Sequence, residues 1–411
     1  MTRRAARPAR RGSRLAALAA ATLSLALLGA CSQDAEEAGA TDELVEPSAS
    51  AGSSDAGAGK DHHDAEAVGG KKLRPGERRV TVSMDEAYTP ASPTSTGTDD
   101  YRCFLIDPQL EKPAFLTGTH VLPGNPEVVH HVILFKVEPD EVERAEELDA
   151  GEEGPGWTCF GGSGLQTAPG EALTDSDWLA AWAPGGEETV TKPGHGVRLD
   201  KGSRVIMQVH YNLLAGPQPD VSATQLRLSS RGKGMTGLET LLLPAPVEMP
   251  CREGHDDSRL CDREASLLDL RGRIGPDGDK TANLLHQLCG MGWEPGEHTE
   301  CLRTFNEPMT IHGVAGHMHL LGKEIKIELN PGTPRARTVM DIPVWDFDDQ
   351  GGIPIDPVRL RPGDQVKVSC RHSQELRDRL PAFEGQPDRY VVWGDGTTDE
   401  MCLGMLTVSK P

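Results

Sequence analysis

Short apolar runs broken by Gly and Pro, of which the 411 residues include 46 and 31, constrain this chain most, because they leave many stretches of strand length and few long enough for a helix. The clearest run, Arg204 to Asn212, alternates: Val205, Met207, Val209 and Tyr211 point one way, and Ile206, Gln208 and His210 point the other. Val128 to Phe135 is apolar on both faces, the pattern of a buried sandwich strand. Helical signal is confined to the neighbourhoods of Glu264 to Leu270 and Thr281 to Leu288. The balance favours an all-β fold of the sandwich class.

Ahead of these strands the chain reads as an export address. Six arginines (Arg3, Arg4, Arg7, Arg10, Arg11, Arg14) precede an apolar run from Leu15 to Leu28 and then Leu28-Gly29-Ala30-Cys31. Residues 1 to 30 are therefore expected to be a bacterial lipoprotein signal, with lipid on Cys31 after cleavage. Residues 31 to 75 are rich in Ala, Gly, Ser, Asp and Glu, cannot bury a core, and read as a disordered acidic tether reaching on the order of 40 Å. Asp61-His62-His63-Asp64 within it reads as solvated linker. The expected place is the bacterial cell envelope, with the membrane touched only through the lipid anchor. A net charge of -21 argues against nucleic acid as a partner and for a soluble, self-repelling monomer. The remaining length suits two domains, residues 76 to 233 and 234 to 411.

Five histidines and a methionine stand out as metal ligands. They occur in Val129-His130-His131-Val132, Met207-Gln208-Val209-His210-Tyr211, Gly316-His317-Met318-His319-Leu320 and Asp399-Glu400-Met401-Cys402. Divided as His130/His131/His210 and His317/His319/Met401, they give one trio of imidazoles and one of two imidazoles with a thioether. Imidazole accepts several metals, but a thioether bond suits Cu(I) above all, so the combination points to two unequal copper sites. His317 and His319, two apart, share a face if their segment is extended. His130 and His131, being adjacent, do not, so their joint use of one ion requires an irregular backbone. Gln208 shares the face of His210 and is a candidate either to orient water or substrate or to make a structural hydrogen bond. The other histidines, His120, His195, His255, His286, His298, His312 and His372, are read as ordinary core or surface residues. Asp346, Asp348 and Asp349 before Gly351 read as an acidic turn, as does Gly275-Pro276-Asp277-Gly278-Asp279.

In this order the chain carries Asp100-Tyr101-Arg102-Cys103, His130-His131-Val132-Ile133-Leu134-Phe135, Ala181-Trp182-Ala183, Gln208-Val209-His210-Tyr211, His317-Met318-His319-Leu320-Leu321-Gly322 and Gly396-Thr397-Thr398-Asp399-Glu400-Met401-Cys402. Over about residues 98 to 408 it resembles the copper type II, ascorbate-dependent monooxygenases, the family of peptidylglycine alpha-hydroxylating monooxygenase and dopamine beta-monooxygenase. The resemblance implies two tandem jelly-roll β-sandwich domains with a solvent-filled cleft between them. The first would hold an electron-storing copper on His130, His131 and His210. The second would hold the catalytic, oxygen-activating copper on His317, His319 and Met401. The implied reaction hydroxylates a C-H bond of a small organic molecule with O2, using two electrons supplied by ascorbate or another small reductant.

Nine cysteines include Cys31, and the other eight, an even number in an exported chain with no Cys-x-x-Cys, point to disulfides. The family pattern implies Cys103 with Cys159, and Cys370 with Cys402 beside Met401. Cys251, Cys261, Cys289 and Cys301 fall in a segment that looks inserted, partly helical and disulfide-rich, and allow three pairings. Members that amidate peptides grip a substrate carboxylate with an Arg two residues before the first His of the second pair and with polar side chains after the Met. Here those positions are Ala315, Leu403 and Met405, which argues for a less charged substrate. A copper-binding envelope lipoprotein without turnover, and an inert adhesion or binding module on the same scaffold, are the alternatives.

Overall fold

Residues 70–93, 98–166, 177–275, 278–290 and 294–411 are described by the structure, a computed structural model. The expected signal peptide, Cys31 and the His62-His63 pair lie outside them. Among the described residues no helix is long and apolar enough to cross a membrane.

The fold is all-β, two sandwiches in sequence within one compact unit. In the first, a five-stranded sheet runs Trp157–Thr158, Asp99–Ile106, Arg204–Asn212, Val129–Val137, Trp178–Trp182. It faces a sheet built on Glu77–Ser83, Ala223–Ser229, Ala114–Leu122 and His195–Leu199. The alternation of Arg204–Asn212 decides what lies where. Val205, Met207, Val209 and Tyr211 enter the core between the sheets, with Leu116, Leu226 and Leu228 opposite, whereas Ile206 joins a smaller apolar cluster with Cys103, Phe135 and Trp157. Gln208 and His210 therefore share the outward side of the five-stranded sheet, where the site is built.

Strand Thr236–Gly237 still belongs to the first sandwich, and Glu239–Ala245 opens the second. There a sheet in the order Glu239–Ala245, Cys402–Ser409, Met309–His317, Ile353–Leu360 packs on one in the order His298–Phe305, Asp364–His372, Gly322–Leu329, Arg337–Ile342. The inserted segment forms helices Arg263–Ile274 and Gly278–Cys289, whose Leu267, Leu270, Ala282 and Leu285 extend the core of the second sandwich. Its cysteines choose the local pairing, Cys251 with Cys261 and Cys289 with Cys301, and the other two disulfides are Cys103 with Cys159 and Cys370 with Cys402. The helix Val142–Ala150 was not anticipated: its run of Glu and Asp leaves Ala145 as its single buried residue, so it shows almost no apolar stripe. Within the segment Gly275 to Asp279, read as a turn, Gly278 and Asp279 instead begin the second inserted helix.

Residues 70–75, expected to be part of a tether, are ordered against the fold. They are clasped to the first sandwich by cations that need acceptors: Arg227 donates to the carbonyls of Lys71 and Lys72, and Arg74 donates to Glu77 and to the Thr191 carbonyl. Glu77 is the anchor of this knot, paired with buried Arg227 at 2.6 Å and accepting from Thr117. Burial alone would raise the pKa of its carboxyl, but the hydrogen bonds from Arg227, Arg74 and Thr117 win and bring it down to about 2. A folded value below the ordinary 4.5 means that its contribution is complete above that pH and is lost as pH falls toward 2. Glu77→Gln should accordingly be less stable than the parent at neutral pH and lose less stability on acidification between about pH 5 and 2. Urea midpoints across that range check this, and parallel curves would contradict it.

Candidate metal centres

Strand Val129–Val137 pairs with Arg204–Asn212 so that Val129 faces Tyr211 and His131 faces His210, leaving His130 as an extra residue in the ladder. This bulge is the irregularity that two adjacent ligands require, because it turns both His130 and His131 to the side that His210 occupies. The three Nδ1 atoms converge on one another: His130 to His131 is 3.2 Å, His130 to His210 is 3.3 Å, and His210 to His131 is 3.2 Å. These are the three described residues whose ligand atoms cluster as a metal site would need.

With the proton of each ring on Nε2, as His210 has it, the three Nδ1 lone pairs repel one another unless a cation lies among them. Burial, with the neighbouring imidazoles adding to it, pushes the pKa of His130 down to about 2 and that of His131 well below the ordinary histidine value, so protonation does not relieve the crowding. A triangle of this size leaves room for one ion at about 2.0–2.1 Å from each nitrogen, the usual metal-imidazole distance.

The outer edge of His210 is fixed as well. Its Nε2 lies 2.8 Å from Asp99 Oδ1 and donates to it, which commits the proton to Nε2 and leaves Nδ1 bare. Tyr101, opposite His210 in the neighbouring strand, stacks on its ring at 4.1 Å and donates from its hydroxyl to the Asp395 carbonyl. The Asp99 carboxylate also accepts from the backbone N–H and the hydroxyl of Thr397, a residue of the second sandwich. Burial would raise the pKa of Asp99, but the His210 and Thr397 contacts hold it below the usual carboxylate range.

In the second sandwich His317 ends the strand Met309–His317 and His319 lies just past it, with buried Met318 between them in the core. Their rings are 5.0 Å apart, centre to centre. His317 Nδ1 donates to Gln350 Oε1 at 2.6 Å and His319 Nδ1 donates to the Asp399 carbonyl at 3.2 Å, so both present a bare Nε2. Burial pushes the pKa of His317 down to about 3 and lowers that of His319. Met401 directly precedes the strand Cys402–Ser409, whose Leu403 pairs with His317, and the Met401 and His319 N–H groups share one oxygen of Glu400.

Glu400 ties these parts together. Its buried carboxylate accepts from the N–H groups of His319 at 3.0 Å, Leu321 at 2.5 Å and Met401 at 3.2 Å. Asp399 is gripped by both terminal nitrogens of Arg273, at 2.9 and 2.6 Å, and the Cys370–Cys402 disulfide pins the next residue. The turn that presents Met401 is thus held from three directions.

The two clusters abut. His131 and His317 rings are 5.9 Å apart, and no solvent-filled cleft separates them, contrary to what the family resemblance implied. The gap is closed by the Asp99–Thr397 bonds, by Tyr101 on Asp395, and by a loop after strand Arg337–Ile342. That loop was read as an acidic turn, yet its Phe347 stacks on His130 at 4.7 Å while its Gln350 holds His317. Neither residue carried a sequence signal, since their partners are distant in the chain. Asp99, one residue before a recognised stretch, was likewise missed.

Gln208 is not in a cleft. Its Nε2 donates to the carbonyls of Cys159 at 2.8 Å and Gly162 at 2.6 Å, so it braces the disulfide loop beside the site. Ala315, Leu403 and Met405 lie on the paired strands of the His317 sheet, with Ala315 opposite Met405. Of the histidines set aside, His286 binds Glu248 and His195 and His312 face each other at 4.8 Å, whereas His372 lies 3.4 Å from Glu400 and donates to the Met401 carbonyl at 3.2 Å, against the turn that presents Met401.

The chain matches no protein-family profile and no curated protein. Among solved structures it is similar to the major capsid protein P2 of bacteriophage PM2, at 9% identity and a TM-score of 0.28 over 81% of this chain and 97% of that one. It is also similar to a fucolectin from striped bass serum (Morone saxatilis), at 7% identity and 0.18 over 77% and 84%, and to an allantoicase, at 12% and 0.17 over 72% and 86%. Likenesses this distant say nothing about the site.

Replacing Asp99 with Asn removes the charge that fixes His210, and should weaken metal binding at the imidazole trio about 10- to 100-fold. Calorimetric titration with Cu(II) checks this; unchanged affinity would show that Asp99 does not tune His210.

Proposed function

We propose that this protein is a copper-dependent monooxygenase that hydroxylates a C-H bond of a small organic substrate with O2 and a small reductant. The observation that carries the reading is the convergence of three Nδ1 atoms, that of His210 bare, beside a second pair of histidines with bare Nε2 atoms. His130, His131 and His210 would hold one copper ion and His317, His319 and Met401 the other. Copper supplies one-electron chemistry and, where a thioether favours Cu(I), a place for dioxygen to react.

The chain itself supplies the rest. Asp99, Gln350 and the Asp399 carbonyl each take the outward proton of one imidazole, so three of the five rings face inward in the ligating tautomer before any ion arrives. Glu400 and the Cys370–Cys402 disulfide hold the Met401 turn, which lowers the entropy lost when its sulfur is fixed. Phe347 and Tyr101 cover one face of the His130 ring and one of the His210 ring. Ala315, Leu403 and Met405 give the second site an apolar flank that suits an uncharged substrate. Export as a lipoprotein would place this chemistry in the cell envelope.

A second reading, a copper-holding envelope protein without turnover, is favoured by one observation: the His131–His317 contact leaves little room for a substrate beside the second site. Oxygen consumption driven by ascorbate and dependent on an added organic substrate separates the two.

The purified soluble body should bind two copper ions per chain. Met401→Ala should keep the first ion, lose the sulfur contribution to Cu(I) X-ray absorption, and lose nearly all hydroxylation; undiminished turnover would exclude Met401 as a ligand. His210→Ala should bind one ion tightly instead of two, and full loading of both would mean that the first trio is wrongly drawn.

A further inference from the structure

Behind His210 lies a pocket of about 360 Å³, a size suited to a small organic molecule. Asp99 and Phe160 of the first sandwich form one wall, and Asp269 and Arg273 of the first inserted helix, with Arg389 and Thr398, form the other. The charges lining it are unequally satisfied. Arg273 is fully engaged by Asp269 and Asp399, and Asp99 by His210 and Thr397. Arg389 is different: it is 6% exposed and its guanidinium makes one hydrogen bond, from Nη1 to Asp269 at 2.9 Å. Its other N–H groups have no partner among the described residues. A buried guanidinium with spare donors on the wall of a cavity is a ready binder of an anion, and a carboxylate or enediolate matches its fork.

The place of the pocket narrows the ligand further. Asp99 stands between it and His210, on the ring edge opposite Nδ1, so a molecule seated there cannot touch an ion held by the trio. That excludes a substrate whose own carbon must reach the metal. It suits an electron donor, which can act across the short bridge of Asp99 and His210.

We propose that this pocket is the docking site of a small anionic electron donor, with its negative charge on Arg389. The role as donor site rests on the copper reading above, whereas the binding itself requires no metal.

The test uses the metal-free soluble protein, titrated calorimetrically under argon with ascorbate as the anionic probe and with hydroquinone as an uncharged donor of similar size. Ascorbate should bind the parent with a measurable heat and hydroquinone at least tenfold more weakly. Arg389→Gln should weaken ascorbate at least tenfold, and Arg389→Lys should restore part of the loss. Ile274→Trp, which fills the pocket without touching the guanidinium, should abolish binding and decides the matter if Arg389→Gln does not fold. Absence of ascorbate binding to the parent, equal binding to parent and Ile274→Trp, or equal affinity for the charged and uncharged donors would each overturn the proposal. Ascorbate binding by a protein that takes up no copper would leave the pocket assigned and refute the copper reading. Copper uptake without ascorbate binding would do the reverse.

Discussion

The carboxylate of Asp99 does two jobs that the rest of the arrangement depends on. It takes the outward proton of His210, so that the inner nitrogen is free to meet those of His130 and His131, and it takes two hydrogen bonds from Thr397 in the other sandwich. A buried carboxylate is costly unless its lone pairs are filled, and here the partners that fill them come from both halves of the molecule. Ligand orientation and lobe docking are therefore one interaction. The strands can be right and the ligands present, but without this bridge the imidazole trio would have no fixed edge and the Met401 turn no fixed neighbour.

Both centres are built by local departures from regular strand. At the first, the bulge at His130 brings two adjacent side chains to one side of a sheet that would otherwise divide them. At the second, the strand stops at His317, and Glu400 captures the N–H groups of His319 and Leu321 that a continuing ladder would have used. In each case the irregular backbone is compensated by polar groups from elsewhere: a side-chain carboxylate in one and the neighbouring strand in the other. This is how a sandwich, whose inward faces are committed to Leu, Val and Ile, can carry histidines on its outer faces, with His210 and His319 buried there and His130, His131 and His317 half-buried.

Much of the fold was legible because it is written in near neighbours. The alternation of Val205 to Tyr211 placed His210 on the correct side of its strand, and the adjacency of His130 and His131 demanded an irregularity that the structure supplies. The inserted helices were visible as the helical signal around Glu264 to Leu270 and Thr281 to Leu288. What was not legible involves pairs far apart in the chain or side chains without an apolar pattern. The helix at Val142–Ala150 hides in a run of acids, the local pairing of Cys251 with Cys261 had to be seen in space, and Gln208 was resolved as a brace only once the Cys159 and Gly162 carbonyls appeared above it. Asp99, Phe347 and Gln350 touch their histidines across 111, 217 and 33 positions respectively, distances at which no local rule operates.

The loop that carries Phe347 and Gln350 has a thermodynamic consequence. One short stretch of backbone lies against His130 of one cluster and holds His317 of the other, so whatever stiffens one ring restrains the anchor of the second. Events at the two clusters then share a conformational entropy cost that is met once, by whichever occurs first. Linkage would make that dependence reciprocal: an occupant of one cluster would ease binding at the other by the same factor in either order.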